Sequence, residues 1–413
     1  MIQRHITDSI LPALADTPVV LVNGARQTGK STLVQSLTRN QYPARYVTLD
    51  EPGMLAAAHR DPAGFIRSLE GPVVLDEIQL APEMFRNIKL EVDRNRQPGR
   101  FLLTGSVNVL MLPRLSDSLA GRMEILTLWP FSQGELEGSR ETFVDTLFAK
   151  SLGNPVVPAL DRPALIDRIL AGGYPEVISR TSAARRRAWF DSYINTMIQR
   201  DVREIADIEG RTQLPRLLEL LAIQAMSLLN MSEVSRSMGI PHTTLKRYLS
   251  LLEATFLIQT LPAWSGNVRK RLIRSPKIML NDTGLMAHLL ALERKRLLAD
   301  SPAVGPLLES FVAQELGKQI TWSSARPKLF YYRTAAGREV DFVLEGAGGR
   351  LVGIEVKASA TLDKKDVRGL DDLAETTGKR FHRGILLYTG TEVIPFTRKV
   401  HALPISALWH VGL

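Results

Sequence analysis

The stretch that most constrains this chain is Gly24-Ala25-Arg26-Gln27-Thr28-Gly29-Lys30-Ser31, with Thr32 next. An apolar run, Val19-Val20-Leu21-Val22, stands directly before it, and a helix-compatible run, Thr32 to Leu37, directly after. This is the pattern G-x-x-x-x-G-K-[ST] in a strand–loop–helix setting. The backbone N–H groups of such a loop turn inward, and the next helix aims the positive end of its dipole at the same point. The sequence therefore predicts an ATP site in which residues 24–32 wrap the phosphates. Lys30 would reach the β- and γ-phosphates, and the Ser31 hydroxyl would ligate Mg²⁺. A flexible glycine-containing turn is the bland alternative, and the flanking strand and helix argue against it.

The residues around the loop fit an α/β core. Residues 1–18 read as a short amphipathic helix with Ile6, Ile10, Leu11 and Leu14 on one face. Strands are expected at 45–50 and 71–77, the second ending in Asp76-Glu77. Behind a phosphate loop, two acids at a strand end predict that Asp76 holds the Mg²⁺ shell and Glu77 polarises the attacking water. A fourth strand, 101–106, is expected between the two strands that carry these motifs. Its hydroxyl tip favours Thr104 over Ser106 as a sensor of the γ-phosphate or the water. Arg122 precedes a fifth strand at 123–128, where an arginine finger would face the nucleotide of a neighbouring subunit. A surface arginine capping the preceding helix is the other reading. A finger acting in trans requires a homo-oligomer and points to a ring, a hexamer being one form.

At 413 residues, two or three domains are expected. The content, 45% hydrophobic and 23% charged, is that of a globular chain with ample core. No apolar run reaches the length of a membrane span, and Met1-Ile2-Gln3-Arg4-His5 lacks the layout of a signal peptide, so a cytoplasmic protein is expected. The absence of cysteine excludes disulfides, thiol catalysis and Cys-ligated zinc. The net charge of +9 favours an anionic partner such as nucleic acid.

From 131 to 215 the pattern is helical, with charge runs at Arg185-Arg186-Arg187 and at Arg200-Asp201-Val202-Arg203-Glu204. These read as solvated helix faces or as a nucleotide-sensing lid, with Arg200 the candidate second sensor. A helix from Leu217 and a second at 232–238, with Ser232 as N-cap, precede the turn Gly239-Ile240-Pro241 and a third helix from His242. That is a helix-turn-helix signature. Thr243, Thr244, Lys246 and Arg247 would meet the groove or the phosphates. Arg269, Lys270 and Arg271, with Arg274 and Lys277, read as a basic wing. A packing or oligomerisation module is the alternative.

Near the C-terminus, 337–345 alternates as a strand, Gly346-Ala347-Gly348-Gly349 turns, and 350–357 returns. Asp341 followed by Glu355-x-Lys357 is the layout of a PD-(D/E)xK nuclease core, although no proline precedes Asp341. Strand periodicity puts Glu355 and Lys357 on one face, and the hairpin brings Asp341 alongside. Asp341 and Glu355 would bind Mg²⁺, and Lys357 would orient water or neutralise charge. Glu309, on an upstream helix, would complete the site. Lys364, Lys365 and Arg368 would hold a backbone phosphate. The same fold also serves as an inactive binding platform.

Taken together, these segments resemble a prokaryotic AAA+ ATPase family with an AAA_14-type ATPase domain and a DUF4143 C-terminal region. The likeness rests on residues 24–31, 75–79, 103–106, 119–122, 130–132 with Glu135, 172–176, Arg200-Asp201, 277–285 and the Asp341…Glu355-x-Lys357 motif. The reading is an α/β chain in four parts. They are a P-loop AAA+ core over 1–135, a helical lid or linker over 136–215, a winged-helix-like domain over 216–285 and a restriction-endonuclease-like α/β domain over 286–413. The expected activity is Mg²⁺-dependent ATP hydrolysis coupled to binding, remodelling or cleavage of nucleic acid, DNA foremost. The alternative is a regulatory or scaffolding ATPase whose nuclease-like domain holds a protein partner.

Overall fold

A computed structural model describes residues 2–108, 119–153, 155–198, 213–299, 302–334 and 336–411. Two units emerge. One is built from 3–131 with 249–257, the other from 132–248 with 258–413.

The first unit carries a five-stranded sheet of β1 (Val19–Asn23), β2 (Arg45–Thr48), β3 (Val73–Asp76), β4 (Phe101–Gly105) and β5 (Met123–Thr127). All pairs are parallel, in the order β2-β3-β4-β1-β5. A parallel sheet covered on both faces needs near-continuous apolar strands, and the three central ones, β3, β4 and β1, are buried at every position. Val19, Leu21, Val73, Leu75, Phe101 and Leu103 pack with Phe85 and Ile88 of the helix Met84–Arg94. The alternate residues Val20, Val22, Val74 and Leu102 pack with the helices Thr7–Asp16 and Lys30–Asn40. In register, Val19 lies opposite Phe101, which lies opposite Val73. The loop after β1 and the acids after β3 therefore open at one edge, with β4 between them as expected. Ligands bind at that edge in open parallel sheets.

In the second unit, Gln213–Ile223, Met231–Met238 and the start of His242–Ala254 form the helix-turn-helix series. Its middle helix is capped by Asn230, whose side chain accepts from Glu233 N at 3.2 Å, and not by Ser232. Asn230 is the residue in extended conformation, so the cap lies two residues before the expected one. Gly239, at φ 66°, ends it in the left-handed form. An antiparallel pair, β6 (Ile258–Leu261) and β7 (Lys277–Leu280), encloses the short helix Val268–Ile273.

The C-terminal sheet holds β8 (Lys328–Arg333), β9 (Glu339–Glu345), β10 (Leu351–Lys357), β11 (Phe381–Tyr388), β12 (Ile394–Pro395) and β13 (Val400–Pro404). Their order is β12-β13-β11-β10-β9-β8. Strands β8, β9 and β10 run antiparallel, whereas β10 and β11 are parallel. A parallel pair needs a crossover, supplied here by the helix Arg368–Thr377. Phe342, Ile354 and Ile385 pack with Leu308, Phe311 and Val312 of the helix Val304–Ile320. Val343, Leu351 and Leu386 pack with Leu370 and Leu373 of the crossover helix. Among the described residues, no helix is long and apolar enough to cross a membrane.

Candidate functional sites

The phosphate loop is shaped by its glycines. Gly24 has φ +149°, and a Cβ there would lie 2.2 Å from the Leu128 carbonyl oxygen, so a side chain is excluded. Gly29, at φ 93°, starts the helix Lys30–Asn40. Lys30 is 4% exposed, and its ammonium donates to the carbonyls of its own loop, Gly24 O at 3.0 Å and Ala25 O at 2.9 Å. The Thr28 hydroxyl donates to Ala25 O at 3.0 Å. Ser31 is half-buried and Thr32 exposed in the first helical turn; Arg26 is half-buried and Gln27 exposed. Arg4, which the sequence did not single out, donates to Thr28 O at 2.8 Å and to Trp129 O at 2.5 Å. It ties the loop to the start of the chain.

The acids sit at the same edge. Asp76 is 2% exposed; the Tyr46 hydroxyl donates to one of its oxygens at 2.6 Å, and the Thr104 hydroxyl donates to the other. Thr104 Oγ1 in turn accepts from Glu77 N at 3.0 Å. The Gln79 amide donates to the Glu77 carboxylate and to Ser106 Oγ, the latter at 3.0 Å. The Thr104 hydroxyl, expected as a sensor, is fully buried and bonded to both Asp76 and Glu77. Burial and the bond to Asp76 push the Tyr46 phenol up to about 12, which keeps it a neutral donor. A carboxylate oriented by neutral hydroxyl donors beside a serine hydroxyl is a hard-oxygen donor set, so Asp76 and Ser31 fit Mg²⁺. Gln79 lies within the 75–79 motif without having been assigned a role there, and Tyr46 belongs to no pattern that would have exposed it.

Arg122 lies at the start of β5, the opposite edge of the sheet from the phosphate loop. Its guanidinium donates to both oxygens of Asp93, at 2.5 and 3.1 Å, and to Ala120 O at 3.0 Å. The Arg122 bond holds the Asp93 carboxyl below the usual range. Arg122 therefore cannot serve the nucleotide of its own chain. Arg200 lies outside the described residues.

In the second unit, Asp341, Glu355 and Lys357 line one cavity of about 610 Å³ with Arg338, Glu339, Lys365 and Arg368. Asp341 accepts from Val356 N at 2.8 Å and is hydrogen-bonded to Glu355. Burial first, then Asp341, pushes the Glu355 carboxyl well up; burial likewise raises Asp341. Glu309 is raised to about 8, by burial and then by Asp341. A Cβ on Gly369 would lie 2.4 Å from Glu355 Oε1 and 2.2 Å from Glu339 O, so that position must stay bare. Of the three cations proposed for a phosphate, Lys365 and Arg368 line the cavity, and Lys364 is exposed outside its lining.

Two members of the supposed basic wing turn out to be internal. Lys277 is 3% exposed, with its ammonium on Glu339. Arg271 grips both oxygens of Glu345 at 2.6 and 3.0 Å, beside the rings of Trp264 and Phe330. Both fold the hairpin segment onto β9, because buried charges need charged partners. Arg269 is exposed, and the Lys270 side chain lies outside what is described. Around it Val268, Leu272 and Ile273 are strongly exposed, so this face is apolar as much as basic. On the preceding helix, Thr243, Lys246 and Arg247 are exposed and Thr244 half-buried, while Leu245, Tyr248 and Leu252 form the inner face. Among the described residues, no group of three or more His, Cys, Asp or Glu side chains is arranged to hold a metal ion.

Residues 16–137 match a family described as an AAA domain. Residues 162–296 and 304–408 match two domains of unknown function, DUF8612 and DUF4143. Two uncharacterized proteins, one of Mycobacterium bovis and one of Mycobacterium tuberculosis, are each 30% identical over 414 positions, covering 99% of this chain and 85% of theirs. RuvB of Thermotoga maritima aligns over 63% of this chain and 90% of its own at 19% identity, with a TM-score of 0.30, too low to argue from. On the AAA domain match and the full-length mycobacterial likeness, the chain belongs to the same family as these two proteins, an AAA-type ATPase family with a DUF4143 region.

Proposed function

We propose that this chain is a Mg²⁺-dependent AAA+ ATPase that couples ATP hydrolysis to binding and remodelling nucleic acid, DNA foremost, as a homo-oligomeric ring in the cytoplasm. The observation that carries the ATPase part is the convergence of Lys30, Ser31, Asp76 and Glu77 at one sheet edge. Lys30 leaves the carbonyls of its own loop for the β- and γ-phosphates. Ser31 and Asp76 would hold Mg²⁺, which would supply positive charge to the phosphates. Glu77, steadied by Gln79 and by Thr104, orients the attacking water. Arg122, too far from its own loop, is suited only to a neighbour's nucleotide.

Support for nucleic acid comes from the net charge of +9, from the exposed Thr243, Lys246, Arg247 and Arg269, and from the cations at the C-terminal cavity. For that cavity, cleavage and passive holding compete. The order of β8 to β11 and the grouping of Asp341, Glu355 and Lys357 support a nuclease-like core. A metal ion fits the cavity poorly, because Lys277 already brings a positive charge to its carboxylates. That favours a binding platform.

The deciding experiment incubates the chain with labelled single- and double-stranded DNA and RNA, with Mg²⁺ or Mn²⁺, with and without ATP. ATP turnover is followed in the same tubes. ATP hydrolysis that rises with one nucleic acid, without cutting, is the expected result. Cutting abolished by both Asp341→Ala and Lys357→Ala would make the cavity a nuclease site. Turnover indifferent to every nucleic acid would leave a scaffolding ATPase with a protein partner.

A further inference from the structure

Lys277 reaches the carboxylate cavity from outside its sheet. It opens β7, pairs with Leu261 of β6, and follows Pro276, whose carbonyl accepts from Leu229 N at 2.8 Å. The backbone is thus held on two sides. Its ammonium lies 5.6 Å from the centre of the Tyr331 ring and bonds to Glu339. Burial alone would lower the lysine pKa, but attraction from Asp341, Glu339 and Glu309 outweighs it and raises the value. The other side of the cluster, toward solvent, carries Lys357, Lys365 and Arg368.

A buried group of carboxylates must be compensated by protons, by a metal ion or by charges of the chain itself. We propose that the ammonium of Lys277 is the resident cation of this cluster, supplying the charge that a divalent metal ion supplies in a nuclease site. The arrangement of the acids fits this assignment. Glu339 takes the ammonium, Asp341 and Glu355 share a hydrogen bond, and although Glu309 and Asp366 lie close by, no three acids among the described residues are grouped to hold a metal ion. The cavity then offers Arg338, Lys365 and Arg368 to a phosphate without a divalent ion. The hairpin β6–β7 becomes part of the site, because removing it would remove the cation. The inference stands on the cluster alone and does not depend on whether nucleic acid binds there.

The test is calorimetric titration of Mn²⁺ into the nucleotide-free full chain. Wild type, Asp341→Asn, Lys277→Met and the double variant Lys277→Met with Asp341→Asn are compared. Wild type is expected to show no saturable uptake at the cavity. Lys277→Met should bind Mn²⁺ at least about tenfold more tightly, since a like charge beside the ion has gone, and Asp341→Asn should abolish that gain. Uptake in wild type that Asp341→Asn removes would overturn the proposal, as would absence of any gain in Lys277→Met. If Lys277→Met fails to fold in chelator, circular dichroism decides. Mn²⁺ should then restore its melting, and an unfolded chain indifferent to Mn²⁺ would also overturn the proposal. DNA binding by wild type in chelator is read separately, so a failed platform reading is not mistaken for a failed assignment of Lys277.

Discussion

Lys30 and Lys277 are both buried lysines, at 4% and 3% exposure, yet their ammonium groups bond to acceptors of different kinds. The Lys30 ammonium rests on two backbone carbonyls of its own loop, neutral acceptors that a phosphate outcompetes. The Lys277 ammonium rests on a carboxylate, with two further acids around it. One lysine bonds to neutral carbonyls of the phosphate loop; the other has a carboxylate counter-ion. The lesson is that a buried lysine says nothing about chemistry until its acceptors are known.

Charge removal separates the two most sharply. Lys30→Ala should lower ATP turnover by at least about 100-fold, because the cation that would reach the β- and γ-phosphates is gone. Should Lys30→Ala hydrolyse ATP normally, the phosphate-loop reading would fail. Arg122→Ala comes next. It should bind nucleotide as wild type does but turn over about 1,000-fold more slowly, the scale of a lost arginine finger. Mixing it with Lys30→Ala should restore some activity, since a wild-type Arg122 can then face a wild-type Lys30 in the next subunit. Wild-type turnover by Arg122→Ala alone would instead leave it as the partner of Asp93.

Thr104 sharpens the comparison at smaller scale. It stabilises no charge of its own but holds Asp76 and Glu77 in place. Thr104→Ala should therefore cost about 10- to 100-fold in kcat with little change in KM, and Thr104→Ser should recover most of it. A large rise in KM would return Thr104 to direct contact with nucleotide.

These residues also mark what the sequence made legible. The phosphate loop, Asp76 and Glu77 are contiguous patterns whose chemistry depends on neighbours one to eight residues away, and their placement at one sheet edge follows from strand and helix propensity. The pairing of Asp341 with Glu355 was equally local, since one tight hairpin joins them. What could not be read were bonds across the fold. Thr104 looked like a free strand tip because its partners lie on β3, reached only once β4 inserts beside it. Arg271 and Lys277 looked like a basic wing because a run of cations near a turn is usually solvated. Their acids, Glu345 and Glu339, are far along the chain, and nothing in either segment announces the other. The same holds for Tyr46, an ordinary strand tyrosine until β2 pairs with β3.

The smallest expected effect concerns the compensation of the carboxylates and is read from pH. Glu309 has a folded-state pKa of about 8, against an ordinary value of 4.5. Between those values the folded state holds a proton that the unfolded state has lost, so stability falls as pH rises from about 4.5 to about 8 and levels off above. Glu309→Gln removes that titration. Its melting temperature should match wild type near pH 5 and exceed it by a few degrees near pH 8.5, where the wild-type carboxylate is charged beside Asp341. Lys30→Ala, measured in parallel, should keep the same fall in stability over this range, because it leaves Glu309 and its titration in place. If Glu309→Gln were instead less stable at pH 8.5, the charged Glu309 would be contributing favourably there. The attraction of Lys277 would then exceed the repulsion from Asp341, and the cluster would be held by ion pairing with no proton involved.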